Sequence, residues 1–436
     1  MQAYLTDLFG FLSASPSRYH AALECAARLR AAGFVPLRET SPWALRPGGA
    51  YYAARGGASV IAFRLPAGPL QSWRITAAHS DSPTWRIKCG GRPAQDEIYA
   101  RLVAEGYGGM NMASWLDRPL TAAGRVLLRT QEGVESRAVY LDRDLLTIPS
   151  LAIHLDREIN KGHSYDPQKE LQPLYSLAGA PGLPELLAGE LGVKPEEILD
   201  MDLELCARQA PVLLGPQGEF IQAPRLDDLE CAWGTLAGFL AAPPLPNTGA
   251  VWCLFDSEEI GSGTMQGASG SFLPDLLTRA AAALGLGEDA RRAALAGSTA
   301  LSADNAHARH PNFAEKSDPQ NLVKPGGGVV LKYSASQKYT TTAVTGGLFR
   351  AVCQRAGVPV QVFANRADMP GGSTLGHLLS AQVSIPMADV GLAQLAMHSC
   401  VETASSRDAG WLLDAMTAWY AADFACTADG AYTLRG

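Results

Sequence analysis

The stretch Val251-Trp252-Cys253-Leu254-Phe255-Asp256-Ser257-Glu258-Glu259-Ile260-Gly261-Ser262 decides how this chain is read. Its opening apolar run is unbroken, the pattern of a strand buried on both faces. Its end, two adjacent acids followed by Gly and Ser, is where a strand stops and turns. Neighbouring carboxylates at the mouth of a buried strand repel each other and lose hydration, so something positive belongs beside them. Taken alone, a Glu-Glu pair reads more simply as two solvated surface acids. The other strand ends change that reading.

Moving outward, the same texture repeats. Trp73-Arg74-Ile75-Thr76-Ala77-Ala78 runs into His79-Ser80-Asp81-Ser82-Pro83, and Ser298-Thr299-Ala300-Leu301-Ser302 runs into Ala303-Asp304. Ile385 to Val390 and then Leu392 to Met397 lead to His398. Arg225-Leu226-Asp227-Asp228 is followed by Leu229, Ala232, Trp233, Leu236, Phe239 and Leu240 at helical spacing. Further helices are predicted within 4–34, broken at Ser15-Pro16-Ser17, and at 278–284, 289–295 and 411–424. This alternation predicts an α/β sheet with helices on both faces. Residues 90–224 differ. Short alternating runs such as Arg125 to Arg129, Ala138 to Leu141 and Met201 to Cys206 are separated by Gly and charged turns. They predict an inserted, mostly β assembly domain (90–224) between two parts of a catalytic domain (1–89 and 225–436).

A chain of 436 residues can bury a large core in two or three domains. With a net charge of −7 and no basic run, nothing supports nucleic-acid binding. Met1 to Asp7 lacks the basic-then-apolar pattern of a signal peptide. The uncharged span from Cys231 to Phe255 is broken by Pro243-Pro244-Leu245-Pro246-Asn247, so it reads as a core helix and a strand rather than a membrane span. Eight cysteines are scattered singly, with no C-x-x-C pair. That predicts reduced, buried thiols and a cytoplasmic protein.

In an open α/β sheet, ligands bind beyond the carboxyl ends of the strands. Here the candidate ends carry His79, Asp227, Glu258 with Glu259, Asp304 and His398. Two imidazoles with several carboxylates form the donor set of zinc, manganese or cobalt at a paired site. A paired site needs a bridging carboxylate, and Asp227, ahead of a helix whose N-terminal dipole favours an anion, suits that place. Asp81 is placed to accept the free ring N–H of His79 and fix its tautomer. Glu258 and Glu259 point to opposite faces if the chain is still extended there, which divides them into one ligand and one general base. Each residue has a plainer reading as well: satisfied core histidines at His79 and His398, helix caps or turn formers at Asp304 and Asp227-Asp228. All of these plainer readings would have to hold at once.

Together the segments resemble the M18 metalloaminopeptidases, the aspartyl aminopeptidase family. The resemblance is carried by Ala78-His79-Ser80-Asp81-Ser82-Pro83, Arg225-Leu226-Asp227-Asp228-Leu229, Asp256 to Ser262, Ser302-Ala303-Asp304-Asn305-Ala306-His307 and Gln394-Leu395-Ala396-Met397-His398-Ser399. Phe11 to Ser17 and Ile148 to Leu155 also look like family segments. The resemblance implies an α/β fold of the co-catalytic metallopeptidase type: a mixed central sheet flanked by helices, with an inserted, mostly β assembly domain. It implies two divalent ions per subunit, zinc first, with manganese or cobalt as alternatives. His79, Asp227 and Asp304 then hold one ion, and Asp227, Glu259 and His398 the other. Glu258 becomes the general base, and substrate contacts fall on His307, Lys332, Tyr339 and, from a neighbouring subunit, His154. The implied reaction is release of N-terminal residues from peptides, with Lys332 favouring Asp or Glu, although some family members act on neutral residues. The implied assembly is a homo-oligomer, typically a tetrahedral dodecamer. This chain departs from the family pattern at Asp228, where Asn is usual and the peptide bond is often cis, and at Gly376-His377, where Gly-Pro is usual. Rival readings are a metal-dependent deacylase or carboxypeptidase on the same scaffold, and a binding protein with a degenerate site.

Overall fold

A computed structural model of the chain describes residues 2–369 and 371–435. The N-terminal part folds as helices α1 (Ala3–Ala14) and α2 (Arg18–Ala31), then strands β1 (Val35–Leu37), β2 (Ala50–Arg55), β3 (Ser59–Arg64) and β4 (Ser72–His79). The middle part gives β5 (Thr84–Ile87), β6 (Ala94–Gln95), β7 (Tyr99–Arg101), β8 (Ala104–Tyr107), β9 (Leu120–Arg129), β10 (Val134–Tyr140), β11 (Leu174–Leu177), α3 (Leu183–Leu191) and β12 (Ile198–Ala207). Next come β13 (Val212–Leu214), β14 (Phe220–Ala223), α4 (Leu226–Ala241), β15 (Thr248–Phe255), α5 (Phe272–Ala283), α6 (Glu288–Ala296), β16 (Thr299–Ala303) and β17 (Ala306–His307). The chain continues through β18 (Val329–Tyr333), α7 (Ala343–Ala356), β19 (Val360–Ala364), α8 (Leu375–Gln382), β20 (Met387–Gly391), β21 (Ala393–Leu395), β22 (Glu402–Ser405) and α9 (Asp408–Ala421). A hairpin of β23 (Asp423–Ala428) and β24 (Ala431–Arg435) follows, so Phe424, expected in the last helix, opens a strand.

Nine strands form the central sheet in the order β1-β2-β3-β15-β4-β16-β20-β18-β19. The sheet is mixed: β15, β4, β16 and β20 run parallel as neighbours, while β3 meets β15, and β18 meets β20, antiparallel. The opening stretch behaves as its unbroken hydrophobicity predicts. Trp252 and Leu254 of β15 point into a core packed by α1, α2, α4, α7 and α9, whereas Val251, Cys253 and Phe255 point into a core packed by α5, α6 and α8. All five are fully buried, and burying each large apolar side chain contributes about 1.5–3 kcal/mol. The indole N–H of Trp252 is satisfied by donating to Thr235 Oγ1 at 2.9 Å.

The middle part builds its own antiparallel sheet, β10-β9-β12-β5-β8, and a smaller one, β11-β7-β6, around a separate core including Trp85, Leu128 and Leu205. Strand pairing of this unit begins at Thr84 and ends at Ala207, both earlier in the chain than the expected edges at 90 and 224. Thr84-Trp85-Arg86-Ile87 alternates apolar and polar residues, the habit of the sheet it joins, while β14 pairs with β13 on one side and on the other with β22, beside the catalytic part. A further sheet, β13-β14-β22-β21-β17, gathers three of the site-bearing segments. Cys25, Cys206, Cys231, Cys253, Cys353 and Cys400 are buried free thiols and Cys426 is an exposed one; the side chain of Cys89 lies outside the described set. Among the described residues no helix is long and apolar enough to cross a membrane.

Candidate active site

Three adjacent parallel strands deliver four of the six candidate donors. β15 leads to Glu258 and Glu259, β4 ends at His79, and β16 is followed by Asp304, so register places these side chains along one sheet edge. Asp227 and His398 arrive differently from the expectation that they too end central strands. Asp227 opens α4 after β14, and His398 follows β21, so the small second sheet brings both over the edge of the first. The Asp227–Asp228 peptide bond is cis.

The Glu-Glu pair also corrects an expectation. The chain is not extended there: Ser257 adopts a left-handed φ of 68°, and Glu258–Ile260 forms a tight 3-10 turn. What orients the turn is Asp81. Its carboxylate accepts the backbone N–H groups of Glu258 at 3.1 Å and Glu259 at 3.2 Å, and the hydroxyl of Tyr107 at 2.8 Å. The ring of His79 is held by the backbone carbonyl of Asp81, 3.0 Å from Nδ1, rather than by the carboxylate, 3.5 Å away. A carbonyl can only accept, so Nδ1 carries the proton and Nε2 is left to face Asp227.

The Asp227 carboxylate sits between the two imidazoles. Oδ1 is 3.6 Å from His79 Nε2 and Oδ2 is 3.3 Å from His398 Nε2, which in turn lies 3.4 Å from Glu259 Oε2. Donor atoms of His79, Asp227, Asp228 and Asp304 lie within 4.8 Å of one another; so do those of Asp227, Glu259 and His398, and those of His79, Glu258 and Glu259. Asp227 is therefore common to both groups that the family resemblance implies would hold metal. Asp228, the departure from the family pattern, is fully buried and accepts the backbone N–H of His79 at 3.1 Å.

The donor set fits divalent cations. Asp227 Oδ1, Asp228 Oδ1 and Glu259 Oε1 are buried and have no hydrogen-bond partner among the described residues. Buried anionic oxygens of this kind are costly unless a cation or donor meets them. The electrostatics point the same way. Burial pushes Glu258 up to about 8, reinforced by Asp304, Asp81 and Asp227 against the pull of His79. Burial also raises Glu259, with Asp227 adding to it, and holds Asp304 at about 6. Burial alone would lower both imidazoles, but Asp228, Asp227 and Asp81 carry His79 well above its ordinary value, and Asp227 helps lift His398 to about 8. Burial raises the acids first, and the crowding of acids short of positive charge raises them further and lifts the imidazoles. Imidazole nitrogen with carboxylate oxygen is the chemistry of zinc and of harder first-row ions.

A cavity of about 270 Å³ opens on Glu258, Asp304 and His398 and is lined as well by His307, Lys332 and Tyr339. Lys332, which on sequence alone reads equally well as an exposed strand lysine, is 2% exposed. Its Nζ donates to the Asn305 carbonyl at 3.0 Å, lies 3.8 Å from Asp304 Oδ1 and stands 5.2 Å from the centre of the Tyr339 ring. Burial pulls this amine down, yet Asp304, Tyr339 and Asp389 outweigh it and raise it, so it remains cationic. His154 is exposed and does not line the cavity within one chain. His377, in the first turn of α8, has its Nδ1 2.9 Å from the carbonyl of Thr374, the residue before that helix, and belongs to none of the donor groups found among the described residues.

Two contributors leave no pattern in the sequence. Glu402 accepts the backbone N–H groups of Asp227 and His398 at 3.0 and 2.7 Å. Tyr107 ends β8 of the middle part, and the loop that follows it walls the centre. After its hydroxyl reaches Asp81, Gly108 (φ 74°) packs so closely that a Cβ there would meet Glu259 Cβ at 3.1 Å, and Asn111 N–H donates to the His398 carbonyl at 3.0 Å.

Fold and donor set define a class: an α/β protein with a buried imidazole–carboxylate centre fit for divalent metal. The family model described as aminopeptidase I zinc metalloprotease (M18) matches residues 11–420. A relative from Pseudomonas aeruginosa strain UCBPP-PA14, named "Probable M18 family aminopeptidase 2", is 40% identical over 433 residues, spanning 97% of this chain and 99% of the relative. Ape4 in its complex with Nbr1 superposes with a TM-score of 0.92 at 33% identity, covering 96% of this chain and 85% of that one. The mApe1 dodecamer of S. cerevisiae gives 0.84 at 26% identity, with 95% of each chain covered. The chain belongs to the M18 family of aminopeptidases.

Proposed function

We propose that this chain is a two-metal aminopeptidase that releases N-terminal residues from peptides, Asp and Glu in preference to others. The observation that carries the reading is the Asp227 carboxylate set between His79 and His398, with Glu258 and the Lys332 cavity beside it. His79, Asp227 and Asp304 would hold one divalent ion, zinc first, and Asp227, Glu259 and His398 the other. Such a pair, when bound, supplies Lewis acidity and a water of lowered pKa.

The side chains divide the remaining work. Glu258, held by its backbone N–H to Asp81, takes the proton of the attacking water on its carboxylate and returns it to the leaving amine. The carboxylates around Asp304 favour a free α-ammonium, which restricts cleavage to the chain end. Lys332, kept cationic by Asp304, pairs with an acidic side chain at the first position of the peptide. His307 lies on the same cavity wall. His154 reaches a site only across copies. Leu151, Ile153 and Leu155 around it are 56%, 47% and 75% exposed, an apolar loop suited to a neighbouring subunit, and a homo-oligomer like the mApe1 dodecamer would cover it.

Turnover on a panel of Asp-, Glu- and Leu-initiated peptides, each free and N-acetylated, tests the reading with metal-stripped and zinc-loaded protein. Cleavage requires the free amine and added metal; hydrolysis of blocked peptides would instead make the chain a deacylase or carboxypeptidase. Lys332→Ala lowers kcat/KM for Asp and Glu peptides by about 10–100-fold, as expected for loss of a buried charge-assisted contact, and leaves Leu peptides within a few fold. Equal loss on all three would remove the acidic preference from the proposal.

A further inference from the structure

Glu402 stands on β22 and belongs to neither group of candidate metal donors, yet its carboxylate is buried against both segments that the second sheet brings in. Oε2 accepts the backbone N–H of Asp227 at 3.0 Å and Oε1 that of His398 at 2.7 Å. The two backbones differ in what they need from this carboxylate. His398 has a φ of 62°, in the left-handed region where a residue with a Cβ is disfavoured. Such a conformation persists where the surroundings over-determine it. Asp227 is ordinary extended backbone, φ −84° and ψ 108°, at the start of α4, where the first N–H groups have no partner within the helix and need an acceptor from outside.

We propose that Glu402 is a positioning residue: one buried carboxylate that sets the spacing of Asp227 and His398, and with it the affinity of the ion they share with Glu259. The inference rests on the two-ion reading above. Asp81 shows the same device on the other side of the centre, one carboxylate holding the N–H groups of Glu258 and Glu259. The remaining ligands have other anchors. The N–H of His79 is held by Asp228, and that of Asp304 by the Val390 carbonyl at 2.9 Å. Loss of Glu402 should therefore fall harder on the ion that depends on both Asp227 and His398 than on the one that shares Asp227 alone.

A carboxylate offers an acceptor at both oxygens, whereas an amide offers one and turns an NH₂ toward the second N–H. Glu402→Gln keeps the volume and breaks one of the two bonds. The full-length chain, stripped of metal, is titrated with Zn²⁺ against a chromophoric chelator, and the Co²⁺-loaded form is read by its visible absorption. Wild type binds two ions. E402Q binds one ion about 10–100-fold more weakly and the other with a clearly smaller loss, with an altered Co²⁺ spectrum. If E402Q does not fold, E402D is read the same way, since its shorter arm cannot span both N–H groups. Two ions at wild-type affinity in the variant, or equal weakening of both, overturns the inference. A wild type that binds fewer than two ions overturns the two-ion reading itself, and that is seen before any variant is made.

Discussion

Glu258 can be tested by exchanging a single oxygen for an amide nitrogen. Glu258→Gln preserves the shape of the turn that Asp81 holds but removes the group that accepts a proton, so kcat should fall by about 10²–10⁴-fold while zinc content, measured by atomic absorption, stays at the wild-type level. Near-normal turnover would assign the base elsewhere. A second residue sets how stability depends on pH. His20 pairs with Ser17 Oγ at 2.8 Å, and burial, assisted by Arg225, lowers it to about 4. The unfolded chain takes up this proton near pH 6.5 and the folded chain near 4, so the contribution is complete above pH 6.5 and is lost as pH falls through that window, by at most about 3 kcal/mol. Urea unfolding of wild type and His20→Gln at pH 7 and 4.5 should show the larger loss in wild type. Residues that bear chemistry were legible because imidazoles and acids at the ends of apolar runs are out of place unless something charged meets them. Glu402 and Tyr107 were not legible, since a side chain that works by holding backbone N–H groups or another carboxylate leaves no periodicity. Asp81 was legible as a supporting group but in a different role, because which atoms it faces depends on the turn at Ser257.

At the level of elements, β15 and β4 read directly from sequence because both faces of each are buried and hydrophobicity is therefore continuous. The second sheet could not be read in that way. Its strands span two to four residues each, too short for an alternating pattern, and they pair across long separations in the chain. α4 shows how tightly the supporting elements are fitted. It packs on α9 through Gly238, where an added Cβ would stand 2.4 Å from Met416 Cβ and 2.8 Å from the Thr417 backbone nitrogen. Backbone cannot yield as a side-chain tip can, so Gly238→Ala should cost about 1–3 kcal/mol through overpacking and lower the melting temperature by circular dichroism. An unchanged melting temperature would mean that α9 slides freely on α4.

At the scale of the whole molecule, the loop around His154 should be covered by another copy. Leu155→Asp places a charge where the proposed contact is apolar; the species mass by light scattering should fall toward that of one chain, and peptide turnover with it. An intact assembly with full turnover would separate this loop from both. The middle part of the chain has a second tie, internal to each copy. Tyr107, Gly108 and Asn111 touch Asp81, Glu259 and His398. A pared-down enzyme made by splicing out that region, however neatly its ends were rejoined, would keep every ligand in its gene yet lose the wall they lean on. The region travels with the chemistry and cannot be traded like a spare part.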